Sequence, residues 1–211
     1  MTTKSNVIRL AKSSEVQTEN TKRAGRLPNE AYRTREHLTE DEVLKVLDAL
    51  KRNRYGQRDR LMGLLAFRHG LRVSELIDLQ WSDIHWDQAQ MLVRRLKGSQ
   101  SAIHFLESDE VNGLKRLQRE GPTNDRYIFV SERGTVLTRD GVLKMIKRAG
   151  EAAKMPFPIH PHMFRHAAGF KLANDGVTTR DVQHTLGHRN IAHSVRYTAM
   201  AARPLNVRWK R

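Results

Sequence analysis

The sequence predicts a mainly α-helical domain carrying one small antiparallel β-sheet. Apolar residues recur at three- and four-residue spacing along most of the chain. Between Trp81 and about Phe105 the period changes to two. Ser, Thr, Gly and Pro punctuate the helical stretches where helix ends require them. The 211 residues suit one domain with tails, and a hydrophobic content of 38 % is low but can still form one core.

Residues 1–36 hold Ser, Thr, Asn, Lys and Arg with little apolar periodicity and read as a flexible basic arm. The folded part, 37–198, opens at Leu38-Thr39-Glu40-Asp41-Glu42-Val43. There Thr39 and Glu42 make a capping box, and Leu38 staples onto Val43 across it. Val43, Leu44, Leu47 and Leu50 give the apolar stripe of a helix running to about Lys51. A second helix is expected from Asp59 to His69, with Gly70 as its stop, and a short third from Arg72 to Ile77. The period-two region gives strands around Met91-Leu92-Val93 and Ala102 to Leu106, joined by a hairpin at Gly98-Ser99 that carries Lys97. Ser108 is the expected cap of a helix with Val111, Leu114 and Leu117, ended by Gly121-Pro122. Tyr127 to Val130 reads as a strand or extended segment, and Thr138 opens a helix to about Lys154. Pro161 suits the first turn of a helix to Asn174, stopped by Gly176. Thr178 opens a short helix that Gly187 closes, and a last helix begins near Asn190. Residues 199–211 form a basic tail with Arg203, Arg208, Lys210 and Arg211.

Composition narrows the function. With no cysteine there is neither a disulfide framework nor a thiolate metal site. No apolar run reaches membrane-spanning length and no signal-peptide pattern opens the chain, so a cytoplasmic protein with no membrane partner is expected. The net charge is +15, spread along the whole chain, and the pI is near 10.6. Arg outnumbers Lys roughly two to one, which favours bidentate phosphate contacts. A polyanion partner follows.

One stretch, His160 to Tyr197, concentrates reactive groups. His162 and Arg165 stand three apart and share a helix face. His188 follows the Gly187 helix stop, where it can also serve as a C-terminal cap residue. In the last helix Ile191, Val195 and Thr198 or Ala199 define an apolar stripe, and Tyr197 falls about 160° from Val195, off the expected core face. With Arg72 and Lys97 these groups lack the carboxylate cluster that two-metal phosphoryl transfer needs. They do supply cations for phosphate oxygens as charge develops. Tyr197 can attack phosphorus, His162 can take its proton, and Lys97 can protonate the departing 5′ oxygen. No metal and no other cofactor is required. His184 and His188, four apart, do not fit the metalloprotease signature, because Thr185 stands where its Glu belongs. His160 and His166 receive no role.

The chain resembles the catalytic domain of tyrosine recombinases. The resemblance rests on Gly70-Leu71-Arg72-Val73-Ser74-Glu75-Leu76, the hairpin Lys97, His162-Met163-Phe164-Arg165-His166, Leu186-Gly187-His188, and Tyr197-Thr198 nine residues after His188. It implies that Arg72, Lys97, His162, Arg165 and His188 surround the phosphate, that Tyr197 is the nucleophile and that Glu75 supports the site. It also implies double-stranded DNA with inverted-repeat sites, a homotetramer on DNA, and DNA-bending accessory proteins as partners. The family usually carries a further core-binding domain where this chain has the 36-residue arm. That brevity and the wording around His160 and Leu186 look most like the small fimbrial phase-switch invertases. Thr198-Ala199-Met200 stands where family members often place another His. A topoisomerase-like DNA relaxer and a non-catalytic DNA-binding regulator on the same fold are the competing readings.

Overall fold

The computed structural model describes residues 35–95, 101–121 and 126–201. The arm and the basic tail therefore lie almost wholly outside the described residues, as does the hairpin turn with Lys97.

The first helix, α1 (Glu40–Lys51), starts at the expected capping box: the Glu42 amide donates to Thr39 Oγ1 at 3.3 Å and the Thr39 amide to Glu42 Oε2 at 2.8 Å. Leu38 is buried beside it. Val43, Val46, Leu47 and Leu50 form the inner face, whereas Leu44 is 52 % exposed. The sequence stripe thus included one residue from the solvent side. The second helix, α2 (Gly56–Arg68), begins three residues before Asp59 and is apolar nearly all round from Leu61 to Phe67. That pattern marks a central helix, and it packs on α1 and on three later helices. Gly63 allows the close approach, since a Cβ there would lie 2.7 Å from Leu47 Cδ2.

Gly70 turns the chain at φ +57, and Arg72 becomes the N-cap of α3 (Val73–Ile77). Next comes a three-stranded antiparallel sheet of β1 (Ile84–His85), β2 (Gln90–Val93) and β3 (Ala102–Phe105), in that spatial order. Leu92 faces Ile103 and Val93 faces Ala102 across β2 and β3. Met91, Val93, Ala102 and His104 point inward, with Ile103 and Phe105 outward.

Helix α4 (Ser108–Glu120) is capped one residue earlier than expected: the Glu107 amide donates to Glu110 Oε2 at 2.8 Å. Tyr127 and Val130 make isolated bridges to Gln80 and Val136 instead of a strand. Thr138 caps α5 (Arg139–Ala152), accepting from the Gly141 amide at 3.0 Å. Helix α6 (His162–Asn174) follows Pro161 and places Phe164, fully buried, against the centre. Thr178 caps α7 (Thr179–Leu186), Gly187 ends it at φ +62, and α8 (Ala192–Met200) closes the described chain. The core lies between α1, α2, α5 and α6. Helices α6, α7 and α8 pack on one another at one end of it. No described helix is long and apolar enough to cross a membrane.

Candidate active site

A single buried carboxylate organises the basic residues. Glu75, one turn into α3, accepts from the Arg72 amide at 2.9 Å and from the Arg72 guanidinium at 2.6 Å. Arg95, just past β2, donates to the other side of the same carboxylate at 2.6 Å. Arg165 Nη1, on α6, stands 4.0 Å from it. Burial alone would raise the Glu75 pKa. The charge of Arg95 and the Arg72 hydrogen bonds outweigh it and hold the carboxyl below its ordinary range.

Arg165 is only 1 % exposed and is fixed by carbonyls from two helix ends, donating to Gly70 O and Leu186 O. Burial, then Arg72 and Arg95, push its guanidinium down to about 9, which leaves it protonated at neutral pH. Arg95 donates to Thr185 O, so the same guanidinium joins α3 to α7. Gly187 is required twice over: it adopts a left-handed backbone, and a Cβ there would lie 2.6 Å from Arg95 Nε. Arg95 was absent from the residues singled out by sequence. Strand alternation carries its signal, because Met91, Val93 and Arg95 continue one inward face.

His188 follows Gly187, with Nδ1 2.8 Å from Ser194 Oγ and its carbonyl accepting from Gln183 Nε2 at 3.0 Å. Burial, then Arg165 and Arg72, lower it to about 3. Its ring stacks near parallel to Tyr197, centroids 6.2 Å apart. Arg72, Arg139, Arg180, His188, Arg189 and His193 line an open groove of about 950 Å³ beside these groups. Its described lining contains no carboxylate.

Tyr197 reverses one sequence expectation. It is 2 % exposed and belongs to the core, while Ile191 and Val195 of the supposed apolar stripe are 41 % and 46 % exposed. The inner face of α8 is instead Ser194 and Tyr197. Local apolarity misled because α8 meets the protein through polar contacts: His188 on Ser194, and His166 on the phenol. The Tyr197 hydroxyl lies 2.8 Å from His166 Nδ1, and its ring packs edge-on against Phe170 at 5.1 Å. Gly169 makes room, since a Cβ there would sit 2.8 Å from the phenol ring. Burial pushes the phenol pKa up against the opposing charges of Arg196 and Arg165.

His162 is exposed at the start of α6, with its ring edge-on to His166, centroids 4.6 Å apart. Desolvation on its inner side, then Arg165, His160 and Arg72, lower it to about 4. The hydroxyl partner of Tyr197 among the described residues is His166, a residue that sequence reasoning left without a role. The structure therefore gathers Arg72, Glu75, His162, Arg165, His188 and Tyr197 at one end of the fold, with Lys97 outside the described residues. Among those residues no group of three or more His, Asp or Glu side chains is placed to hold a metal ion.

The chain is similar over most of its length to known proteins. Residues 36–203 match the phage integrase family. The chain is 41 % identical over 182 residues to the type 1 fimbriae regulatory protein FimE of Escherichia coli K12, covering 84 % of this chain and 92 % of that one. It is 38 % identical over 181 residues to FimB of the same strain, covering 84 % and 90 %. Among solved structures it resembles the XerA recombinase, with a TM-score of 0.69 and 27 % identity over 79 % of this chain and 61 % of that chain.

Proposed function

The chain belongs to the phage integrase family, and from that premise we propose that it is a site-specific DNA recombinase that breaks and rejoins strands through a bond to Tyr197. The observation that carries this reading is the stacking of Tyr197 on His188, which with Arg72 lines a groove whose described lining contains no carboxylate, beside the Glu75-organised arginines.

The groove admits the phosphate backbone of a duplex through Coulomb attraction. Arg72, Arg165 and His188, with His162, donate to the non-bridging oxygens of one phosphodiester. Because their frame is fixed by Glu75 and by carbonyls at the ends of α2 and α7, they need no reorganisation as charge builds on phosphorus. The Tyr197 oxygen attacks phosphorus as a histidine of α6 takes the phenolic proton, the bond to the 5′ oxygen breaks, and Lys97 gives that oxygen its proton. A 3′-phosphotyrosine and a free 5′ hydroxyl result. Attack by a 5′ hydroxyl from another strand reverses the step, so the energy of the original bond is kept and no nucleotide triphosphate is consumed. The likeness to the type 1 fimbriae regulatory proteins favours DNA inversion as the outcome; inverted-repeat sites and strand exchange within a tetramer belong to the same proposal.

A nicked suicide substrate made from the DNA flanking the gene tests this. Wild-type protein should accumulate a covalent adduct that migrates with DNA after denaturation, and Tyr197→Phe should bind the same DNA without forming it. Adduct persisting in Tyr197→Phe would overturn the assignment.

A further inference from the structure

Tyr197 has a hydrogen-bonding partner, and that partner has a carboxylate behind it. His166 Nδ1 lies 2.8 Å from the Tyr197 hydroxyl, and its Nε2 lies 4.0 Å from Oε2 of Glu36, which precedes α1. Arg196 Nη2 stands 3.5 Å from the same Nδ1. The phenol and the Arg196 guanidinium both stand as donors on the Nδ1 side, and the nearer one, the phenol, takes its single lone pair. The Glu36 carboxylate, 4.0 Å from Nε2 and beyond hydrogen-bond length, favours the hydrogen on that nitrogen through its charge. In that tautomer the phenol donates to Nδ1, and the imidazole is aligned between a nucleophile and an acid in the order hydroxyl, imidazole, carboxylate.

We propose that His166 is the proton acceptor for Tyr197 and that Glu36 is the positioning residue behind it, a Tyr–His–Glu relay that takes the role the sequence suggested for His162. The inference rests on the recombinase reading of the site. As the Tyr197 oxygen bonds to phosphorus and the 5′ oxygen leaves, the phenolic proton passes to His166 Nδ1 and Nε2–H turns its charge toward Glu36. When the 5′ hydroxyl attacks in the return step, the same proton goes back to the departing phenol. Gly169 keeps the ring seated on α6, so the pair stays in register while α8 remains docked.

The surroundings fit an acceptor. His166 faces Glu36 from the N-terminal segment, His160, His162 and Arg165 from the start of α6, and Arg196 and Tyr197 from α8. Burial, followed by His162, Arg196 and Arg165, holds the free imidazole at about 3, so its acceptor site is empty at neutral pH. A phosphodiester entering beside Arg165 adds a negative charge that opposes those cations and raises proton affinity at the step that needs it.

Single-turnover adduct formation on the suicide substrate, measured across pH, is the test. His166→Asn keeps an oxygen to accept the phenol hydrogen bond but cannot take a proton. It should bind DNA normally, form adduct on the order of 10²–10⁴-fold more slowly, and lose the acidic limb of the wild-type pH profile. Glu36→Gln should give a smaller loss in rate with the limb retained. His166→Asn cleaving at the wild-type rate with an unchanged profile overturns the relay, while wild-type adduct formation leaves the recombinase reading intact. A wild-type protein that forms no adduct sinks that reading instead. Nitrogen-15 NMR of the histidines in the unmodified protein gives a check independent of any variant. Nε2-protonated His166 is expected, and Nδ1-protonated His166 refutes the proposal.

Discussion

Replacing Glu75 by Gln tests whether one carboxylate holds the site together. Gln offers one acceptor oxygen where Glu offers two, and its amide group must point N–H at either the Arg72 or the Arg95 guanidinium, both of which only donate. The Arg95 and Arg165 side chains are 0 % and 1 % exposed, so they have no solvent to replace the lost charge, whereas Arg72 is 34 % exposed and its share is screened. Counting mainly the Arg95 pair, removing one partner of a buried ion pair costs about 3–5 kcal/mol. At about 2–4 °C per kcal/mol for a chain of this size, the melting temperature should fall by roughly 6–20 °C. The pH dependence follows from the sign of the shift. A carboxyl held below its ordinary 4.5 contributes stability that is fully present above that pH and is lost as pH falls through the folded value. The gap between wild type and variant should therefore be constant from neutral pH to about 4.5 and close only below it. Calorimetric melting at several pH values reads both effects. A variant that melts within about 2 °C of wild type at pH 7, a shift worth under about 1 kcal/mol, would refute the hub.

Gly187→Ala should lose about 1–3 kcal/mol in urea unfolding, from left-handed strain and from displacing Arg95; an unchanged midpoint would show that Arg95 can move aside freely. Gly169→Ala removes the seat of the Tyr197 ring. DNA affinity should persist in gel-shift assays while adduct formation drops at least about tenfold, the loss expected from a misplacement below 1 Å; equal losses in both would point to a general folding defect. His104 and His166 are each lowered from 6.5 to about 3, first by burial and then by neighbouring histidines and arginines. They stay neutral in the fold while the unfolded chain protonates, so stability should fall as pH drops below 6.5, by up to about 1.4 kcal/mol per unit for each. Urea midpoints that stay flat between pH 6.5 and 4.5 would contradict that.

Helix ends were legible because their physics is local. Thr39, Thr138 and Thr178 cap where their side chains reach the amide three residues on, and Gly70, Gly176 and Gly187 stop helices where φ turns positive. The ordered motif set was legible as well, since it needs only identity and spacing. The orientation of Tyr197 was not. A nine-residue helix has few apolar positions, and here the burial of its face is decided by His188, Ser194, Gly169 and His166, which belong to distant stretches of sequence. Arg95 was hidden for a related reason: it reads as one of two adjacent arginines, and only the inward alternation of β2 separates it from Arg94, whose side chain is 50 % exposed. His166 looked like a spare histidine beside Arg165 until α8 brought the phenol to it.

The depressed histidines and the lowered Arg165 share, behind burial, a second cause that opposes the burial-raised phenol. Arg72, Arg95 and Arg165 meet a single carboxylate, so three positive charges less one negative leave two uncompensated in a largely buried place. His162, His166 and His188 feel that field and stay neutral. A second acidic residue would relieve the strain and make a more stable protein, but on the proposed reading it would also repel the phosphate of a bound DNA strand. The stability forgone here is what differential binding needs, because an anion entering the site gains what the empty site lacks. That gain is larger for a phosphorane with developing charge than for a resting phosphodiester. On the proposed recombinase reading, Glu75 fixes the arginines in place and the reacting phosphate supplies the remaining negative charge at the moment its own is greatest.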